Sequence, residues 1–379
     1  MHKLQFSLPV LDWAAAEAGL SFVALAEKLG KRSVDEILQG RLTEPQAEKF
    51  AQMVKIPLGY LFMTEPPRPR QVDVADFRAV VAPVALSRDF FDVFDDVRYK
   101  QDWYRDYLEG IGAAPLEFVG KFMSGRTDVR RVACDIRQAL RLDEVDREHL
   151  RSPDDLYAAL VERCERLGIL VFKNGIVGNN THRPLSVDEF RGFVLSDPLA
   201  PVVFINGADA PAAWAFTLAH ELAHIWLGDS GISDAQPNTG NAKEALCNAV
   251  AAEVLVPQAL FEEFWAGLDP KQSDAQRIAA GRRYFRVSEL VIARRALDLE
   301  LIERHIYDQL YDDSRRRVRL NGGGDFYRSV NVRNSKKFTD RVASLAMSGM
   351  MSFREAGRLL NVAPAKIAVL YQKNRALPA

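Results

Sequence analysis

The chain predicts an α+β fold, mostly helical with one small sheet, and three observations carry that expectation. Apolar residues recur at helical spacing through most of the 379 residues. Three short runs between Ile169 and Asn206 are rich in β-branched and aromatic residues, as strands are. A nearly all-apolar helical stretch over 211–227 holds two histidines and a glutamate, groups that are rarely buried without a partner. With 48% apolar and 27% charged residues the composition is that of a globular chain, and the length exceeds one ordinary core. Four segments are expected: a helix-turn-helix-like domain over 1–65, a helical linker region over 66–125, a domain with the sheet over 126–300, and a basic helical module over 301–379. Three cysteines, Cys134, Cys164 and Cys247, give no disulfide framework and read as reduced, small apolar residues. No apolar run reaches the roughly 18 residues of a membrane span. Asp12 and Glu17 interrupt any signal-like N-terminus, so a cytoplasmic protein without a membrane partner is expected.

Taken in order, the N-terminal segment has the punctuation of a helix-turn-helix. Apolar spacing runs through Val10–Ala18, Phe22–Leu29 and Ala47–Val54, with Gly19, Gly30 and Gly40 as breaks. Ser33 with Glu36, and Thr43 with Gln46, each match a capping box, in which the hydroxyl and the later side chain satisfy each other's backbone donors. The helix that would face DNA offers Asp35 and Glu36 to the phosphates and only Arg32 and Gln39 to bases. Dimerisation or partner docking is the rival use of this module. After Pro66-Pro-Arg-Pro69, residues Phe90, Phe91, Val93, Phe94, Val97, Trp103 and Leu108 fit one face of a long helix. Helices follow near Val129–Leu142 and Pro153–Leu167, then strands at Ile169–Lys173, Phe190–Leu195 and Val202–Asn206. The polar Asn174–Val187 stretch reads as a loop and its His182 as a surface residue. An exposed edge of this sheet would suit an extended peptide, which can add as a strand. Asp209 as N-cap, Pro211 near the first position and Gly228 after the last turn delimit the apolar helix. Asn241–Pro257 reads as another helix, and Asp274–Phe285 and Ser288–Leu299 as two more. Within Ser335–Lys373, Ser352 and Glu355 form a capping box, Asn361 stops a helix and Pro364 opens the last one.

A formal net charge of −1 hides an uneven distribution, because residues 1–65 carry 7 basic and 8 acidic groups whereas residues 301–379 carry 15 and 7. Arg315, Arg316, Arg317 and Arg319, then Arg328, Arg333, Lys336 and Lys337, flank Gly322–Gly324, and Lys366, Lys373 and Arg375 lie beyond. DNA, if it is a partner, is expected at this end. A solvated connector, or a contact within a homodimer, is the alternative.

The chemistry concentrates in Thr217-Leu-Ala-His220-Glu221-Leu-Ala-His224. Residues four apart on a helix share a face, so His220 and His224 can clasp one ion, and the HExxH pattern points to Zn2+. Glu221 sits beside the open position, where it can act as general base to a water that the ion acidifies. Two glutamates compete as third ligand, Glu244 and Glu253. At about 100° per residue the steps between them put the two on opposite faces of their helix. Glu244 is preferred, because Asn248 one turn later can hydrogen-bond the outer nitrogen of a ligand histidine. Glu253 stays as the alternative metal ligand or a structural carboxylate. Tyr284, Arg282 and His305 are equal candidates for stabilising an oxyanion.

These residues resemble the ImmA/IrrE-type metallopeptidases. Their helices read HELxH and then E-x-x-A-N-x-F-A-A-E-L-L-M-P, where this chain has Glu244-Ala-Leu-Cys247-Asn248-Ala-Val250-Ala-Ala-Glu253-Val-Leu-Val-Pro257, with Cys247 and Val250 as departures. The pattern is also similar to that of thermolysin-type, gluzincin-like peptidases, which implies Glu244 as ligand and Asn248 as its support. The likeness extends through Phe190–Asp197 and Pro201–Asn206. It implies a zinc endopeptidase cleaving a protein partner, a helix-turn-helix repressor, in a stress-response or mobile-element circuit. The N-terminal module resembles the repressor-type domains fused to such peptidases. Relatives in toxin–antitoxin pairs, beside a PIN-like nuclease toxin, imply a rival: a non-catalytic regulator or antitoxin with DNA-binding modules.

Overall fold

Caps and prolines set where helices begin and end, and short runs of β-branched and aromatic residues mark the central strands. The computed structural model describes residues 3–18, 20–54, 56–67, 73–77, 86–123, 128–145, 149–233, 241–316 and 326–376, without the side chains of 314–316. The chain divides into two units, Met1–Asp73 and Val74–Ala379.

In the first unit β1 (Lys3–Gln5), α1 (Leu8–Glu17), α2 (Phe22–Leu29), α3 (Val34–Leu38), β2 (Arg41–Thr43) and α4 (Glu44–Met53) precede a 3-10 turn over Leu58–Phe62. Leu11, Leu25, Ile37, Phe50 and Leu61 form its core, and β1 pairs antiparallel with β2. Of the two expected capping boxes, the one at α4 is present, with Gln46 accepting from the Thr43 N–H at 2.9 Å. The one at α3 is not. The Ser33 hydroxyl donates to the Gly30 carbonyl and accepts from Gln46 at 3.1 Å, while Glu36 pairs with Lys3. Nearer polar partners outcompete the cap.

The second unit runs β3 (Ala75–Asp76), α5 (Arg88–Gly110), α6 (Val129–Ala139), α7 (Pro153–Leu167), β4 (Leu170–Asn174), β5 (Ile176–Val177), β6 (Asn180–Pro184), β7 (Gly192–Leu195), β8 (Val202–Asn206), α8 (Pro211–Leu227) and β9 (Gly231–Ser233). It continues with α9 (Ala242–Leu255), α10 (Gln258–Ala266), α11 (Asp274–Phe285), α12 (Glu289–Asp298), α13 (Arg304–Arg316), α14 (Phe326–Asn334), α15 (Lys336–Met347), α16 (Phe353–Leu360) and α17 (Ile367–Ala376). The fold is α+β and mostly helical. Its main sheet has the order β3-β9-β7-β8-β4, with β4 parallel to β8, β7 antiparallel to both its neighbours and β3 parallel to β9. Alternation sends Val171, Val194, Val203 and Ile205 into the core that contains α8. Phe193 goes to the other face, against Phe90 and Phe94 of α5, and Phe172 meets Phe338 of α15. With both faces covered, these strands read as continuous apolar runs. Among the described residues no single helix is long and apolar enough to cross a membrane.

Four expectations need correction. The Asn174–Val187 stretch is not a loop but contains the β5–β6 hairpin, closed through Gly178 at φ +56° and Asn179, a two-residue turn between a strand of two residues and a polar one, which masked it. The sheet has five strands where three were expected, because β9 pairs along β7 and β3 along β9, so its outer strands are β3 and β4. Asp209 does not cap α8. The helix starts from Ala210, with Pro211 removing one donor that would need a cap, and Asp209 instead pairs with Arg191 at 2.5 Å. The segment 66–125 is more than a linker, for α5 supplies eight buried residues, including Lys100 and Gln101, to the second unit.

The basic C-terminal helices also pack into this unit. The Glu165 carboxylate accepts from the Ser335 hydroxyl at 2.6 Å and the Lys336 N–H at 2.8 Å, at the positive end of α15. The buried Lys100 ammonium donates to Asp96 and, at 2.8 Å, to Asn334, whose own amide donates to the Leu360 carbonyl. The Gly322–Gly324 run and Arg317 and Arg319 lie outside the described residues.

Lys173 of β4 gives a measurable consequence. Its Nζ lies 3.2 Å from the Trp214 ring centre, and burial pushes its pKa down to about 8, against the pull of Asp154. Between pH 8 and 10.5 the unfolded chain holds that proton and the folded one does not, so stability rises with pH across this window. Urea unfolding should show the wild type gaining on Lys173→Met as pH rises through it, by roughly 3 kcal/mol in total. A flat difference would refute the burial argument.

Candidate metal centre

The centre is built on two packed helices, α8 and α9, each started and stopped by local chemistry. Gly228, at φ +76°, ends α8 in a left-handed residue, and the Asp229 N–H returns to the His224 carbonyl at 2.9 Å. Asn241 caps α9 by accepting the Lys243 N–H at 3.0 Å, and Pro257 follows its last turn. One helical turn apart on α8, His220 and His224 point to the same side, and Glu244, in the first turn of α9, faces them. All three are fully buried.

Their ligand atoms converge. The Nε2 atoms of His220 and His224 are 3.2 Å apart, and the Glu244 carboxylate oxygens lie 3.1 Å from the first and 3.0 Å from the second. Nδ1 of His220 is 2.9 Å from Asn248 Oδ1, an acceptor. The proton of a neutral His220 therefore sits on Nδ1, and Nε2 keeps its lone pair. A neutral His220 thus aims a lone pair at another imidazole and a carboxylate in a buried interior, an arrangement that a cation or extra protons must relieve. Burial opposes a charged His220, but its hydrogen bond and attraction to Glu244 outweigh this and raise its pKa. Burial and the nearby His220 leave His224 lowered, and the same two histidines hold Glu244 down at about 2 despite its burial. Two nitrogens and a carboxylate at this spacing fit a divalent zinc-type ion, with the protons displaced on binding.

Glu221 is next to the cluster and fully buried. Its Oε1 has no hydrogen-bond partner among the described residues, and Oε2 has only the Ser233 hydroxyl, at 3.5 Å. Burial pushes its pKa up to about 8, against the pull of His220 and with the push of Glu244. Gly192 makes room for it, since a Cβ there would lie 2.7 Å from Oε1. Phe77 stacks on the His224 ring at 4.9 Å and 9°. Sequence reasoning did not find Ser233, Gly192 or Phe77, because each reaches the site from a short strand, or the residue just after one, with no signal of its own chemistry.

The other candidate residues are engaged elsewhere. Glu253 pairs with the buried Arg295, whose guanidinium also donates to the Val256 carbonyl. Arg282 pairs with Glu289 at 3.4 Å, Tyr284 stacks on Phe264, and His305 meets Glu303. In the basic module Lys337 donates to the Glu165 carbonyl at 2.8 Å, while Lys366 and Lys373 lie over the rings of Phe326 and Tyr327. Arg317 and the side chains of Arg315 and Arg316 are outside the described residues.

Residues 164–297, which include the whole cluster, match the family described as the IrrE N-terminal-like domain. Residues 334–373 match a domain of unknown function, DUF8813. Over 81 residues the chain is 40% identical to the radiation response metalloprotease IrrE of Deinococcus radiodurans, a match covering 20% of this chain and 25% of that protein.

The two glutamates of α9 should separate cleanly in metal analysis. Glu244→Ala is expected to lose stoichiometric zinc. Glu253→Ala is expected to keep it but to lose about 3 kcal/mol of stability, because Arg295 is left buried without its carboxylate. Zinc lost only in Glu253→Ala would reverse the assignment.

Proposed function

We propose, from the premise that residues 164–297 make this chain an ImmA/IrrE-type protein, that it is a zinc-dependent endopeptidase acting on a protein partner. One observation carries the reading: three buried lone-pair donors converge with an underbonded carboxylate, Glu221, beside them. His220, His224 and Glu244 would hold the ion, and Asn248 orients His220 for it. When bound, zinc supplies a Lewis acid for a scissile carbonyl and lowers the pKa of a water.

Glu221 does the proton work in this reading. Its Oε1 is the oxygen left without a partner, so it is the atom that takes a proton from the attacking water and returns it to the leaving amine. Burial raises its pKa to about 8, so the group takes up a proton more readily than an exposed carboxylate does. Ser233 and the space at Gly192 hold the group at the cluster. A repressor-like protein is the substrate we favour, as the family resemblance implies. The presence of a general base beside the cluster argues against a purely non-catalytic regulator, which has no need of one.

Glu221→Gln tests this. The variant should bind zinc as the wild type does and cleave a repressor-like protein from its own gene neighbourhood more slowly by a factor of order 10²–10⁴. Unchanged cleavage would remove Glu221 from the mechanism. Full cellular function with no cleavage by either protein would favour the regulator or antitoxin reading.

A further inference from the structure

The feature that the peptidase reading leaves unused is the strand β3. It is only two residues long and its side chains are exposed, yet it is docked at a defined register: the Ala75 N–H donates to the Ser230 carbonyl at 3.2 Å and the Phe77 N–H to the Ile232 carbonyl at 3.0 Å. The residue that follows it, Phe77, is 8% exposed. Its ring lies flat on His224 on one side, with the Lys243 ammonium 5.7 Å from its centre. Gly231 is shaped to this docking, since a Cβ there would fall 2.1 Å from the Phe77 ring and 2.8 Å from the Ala75 carbonyl oxygen. The receiving strand, β9, ends in Ser233, the residue that touches Glu221. An extended peptide reaching the centre along the sheet would pair with the same β9 edge and take the Ser230 and Ile232 carbonyls as its acceptors.

We infer that Val74–Phe77 is an internal strand standing in the place of a bound peptide, and that Phe77 is a gate over His224 which must leave before the centre is open. The peptide part of this inference rests on the peptidase reading; the gate over the metal ligand does not. The strand follows Asp73, the last residue of the first unit, without an intervening helix. A partner that holds the first unit is thus joined through the backbone to the segment that closes the centre.

The test uses the full chain loaded with zinc, with Phe77→Ala and Gly231→Ala as independent ways to undock the strand and Phe77→Leu as a variant that keeps an apolar plug. Three measurements are made: amide exchange over residues 74–77, the rate of zinc transfer to a coloured chelator, and cleavage of a protein substrate. Both undocking variants should exchange faster over 74–77 and surrender zinc several-fold faster, with Phe77→Leu between them and the wild type. Their cleavage should rise as well. Faster exchange with unchanged zinc transfer would overturn the gate, as would unchanged exchange in both variants. Faster zinc transfer with cleavage present but not increased would overturn the peptide-mimic role. Faster zinc transfer with no cleavage by any form, the wild type included, would leave the gate standing and remove the peptidase reading instead.

Discussion

Two imidazole nitrogens and a carboxylate meeting in a fully buried interior is the constraint on which the second unit turns. Such a group is tolerable only if the elements carrying it cannot drift apart, because a ligand displaced by an ångström leaves a buried charge unmatched. The packing of α8 is accordingly over-determined. Trp226 stacks on Phe118 at 4.5 Å and donates to Asp135 at 2.8 Å, and Gly228 packs so closely on Gly120 that a side chain there would collide with its backbone. Behind α8 the aliphatic face of the sheet offers Val171, Val194, Val203 and Ile205 as a smooth surface, while the phenylalanines gather on the far side. The division keeps the bulkiest side chains away from the centre and leaves room at Gly192 for Glu221.

The second glutamate of α9 shows how helical phase sorts similar residues into different tasks. Glu244 and Glu253 are both acidic, both on one helix and both next to apolar neighbours, yet one completes the cluster and the other neutralises Arg295. The helix is therefore clamped at its first turn by the centre and at its last by an ion pair that also holds α12. A rigid α9 costs little to pre-organise, and a pre-organised ligand set is what gives a metal site its affinity and geometry.

What could be read from the residues alone was what rests on local periodicity. The boundaries of α7 and α11, and the approximate extents of α8 and α9, follow from caps, prolines and apolar spacing. The HExxH spacing, Glu244 and Asn248 were legible for the same reason: helical phase converts sequence separation into direction. What escaped was non-local. β3 and β9 are two and three residues long, too short for any alternation to register, and exist only because β9 finds β7 and β3 finds β9. The hairpin at Ile176–Pro184 joins a two-residue strand to a polar one, so its turn residues were its one signal. Gln101 is buried against carbonyls 94 and 99 positions away, and Lys100 needs Asn334 as well as the nearby Asp96, which no window along the chain can see.

The buried ammonium of Lys100 has an evolutionary consequence. Its partner Asn334 lies in the region 334–373 that matches one family, and the next residues, Ser335 and Lys336, donate to Glu165 in the region 164–297 that matches another, so the C-terminal region is tied by polar bonds both to α5 and to the region of the centre. Modules joined by a flexible tether can be exchanged between genes at will. A module that satisfies its neighbour's buried charge cannot be swapped for a stranger without stranding a cation in the core, so these two halves are expected to be inherited as a linked pair, with compensating changes at positions 100, 165 and 334 wherever one of them varies.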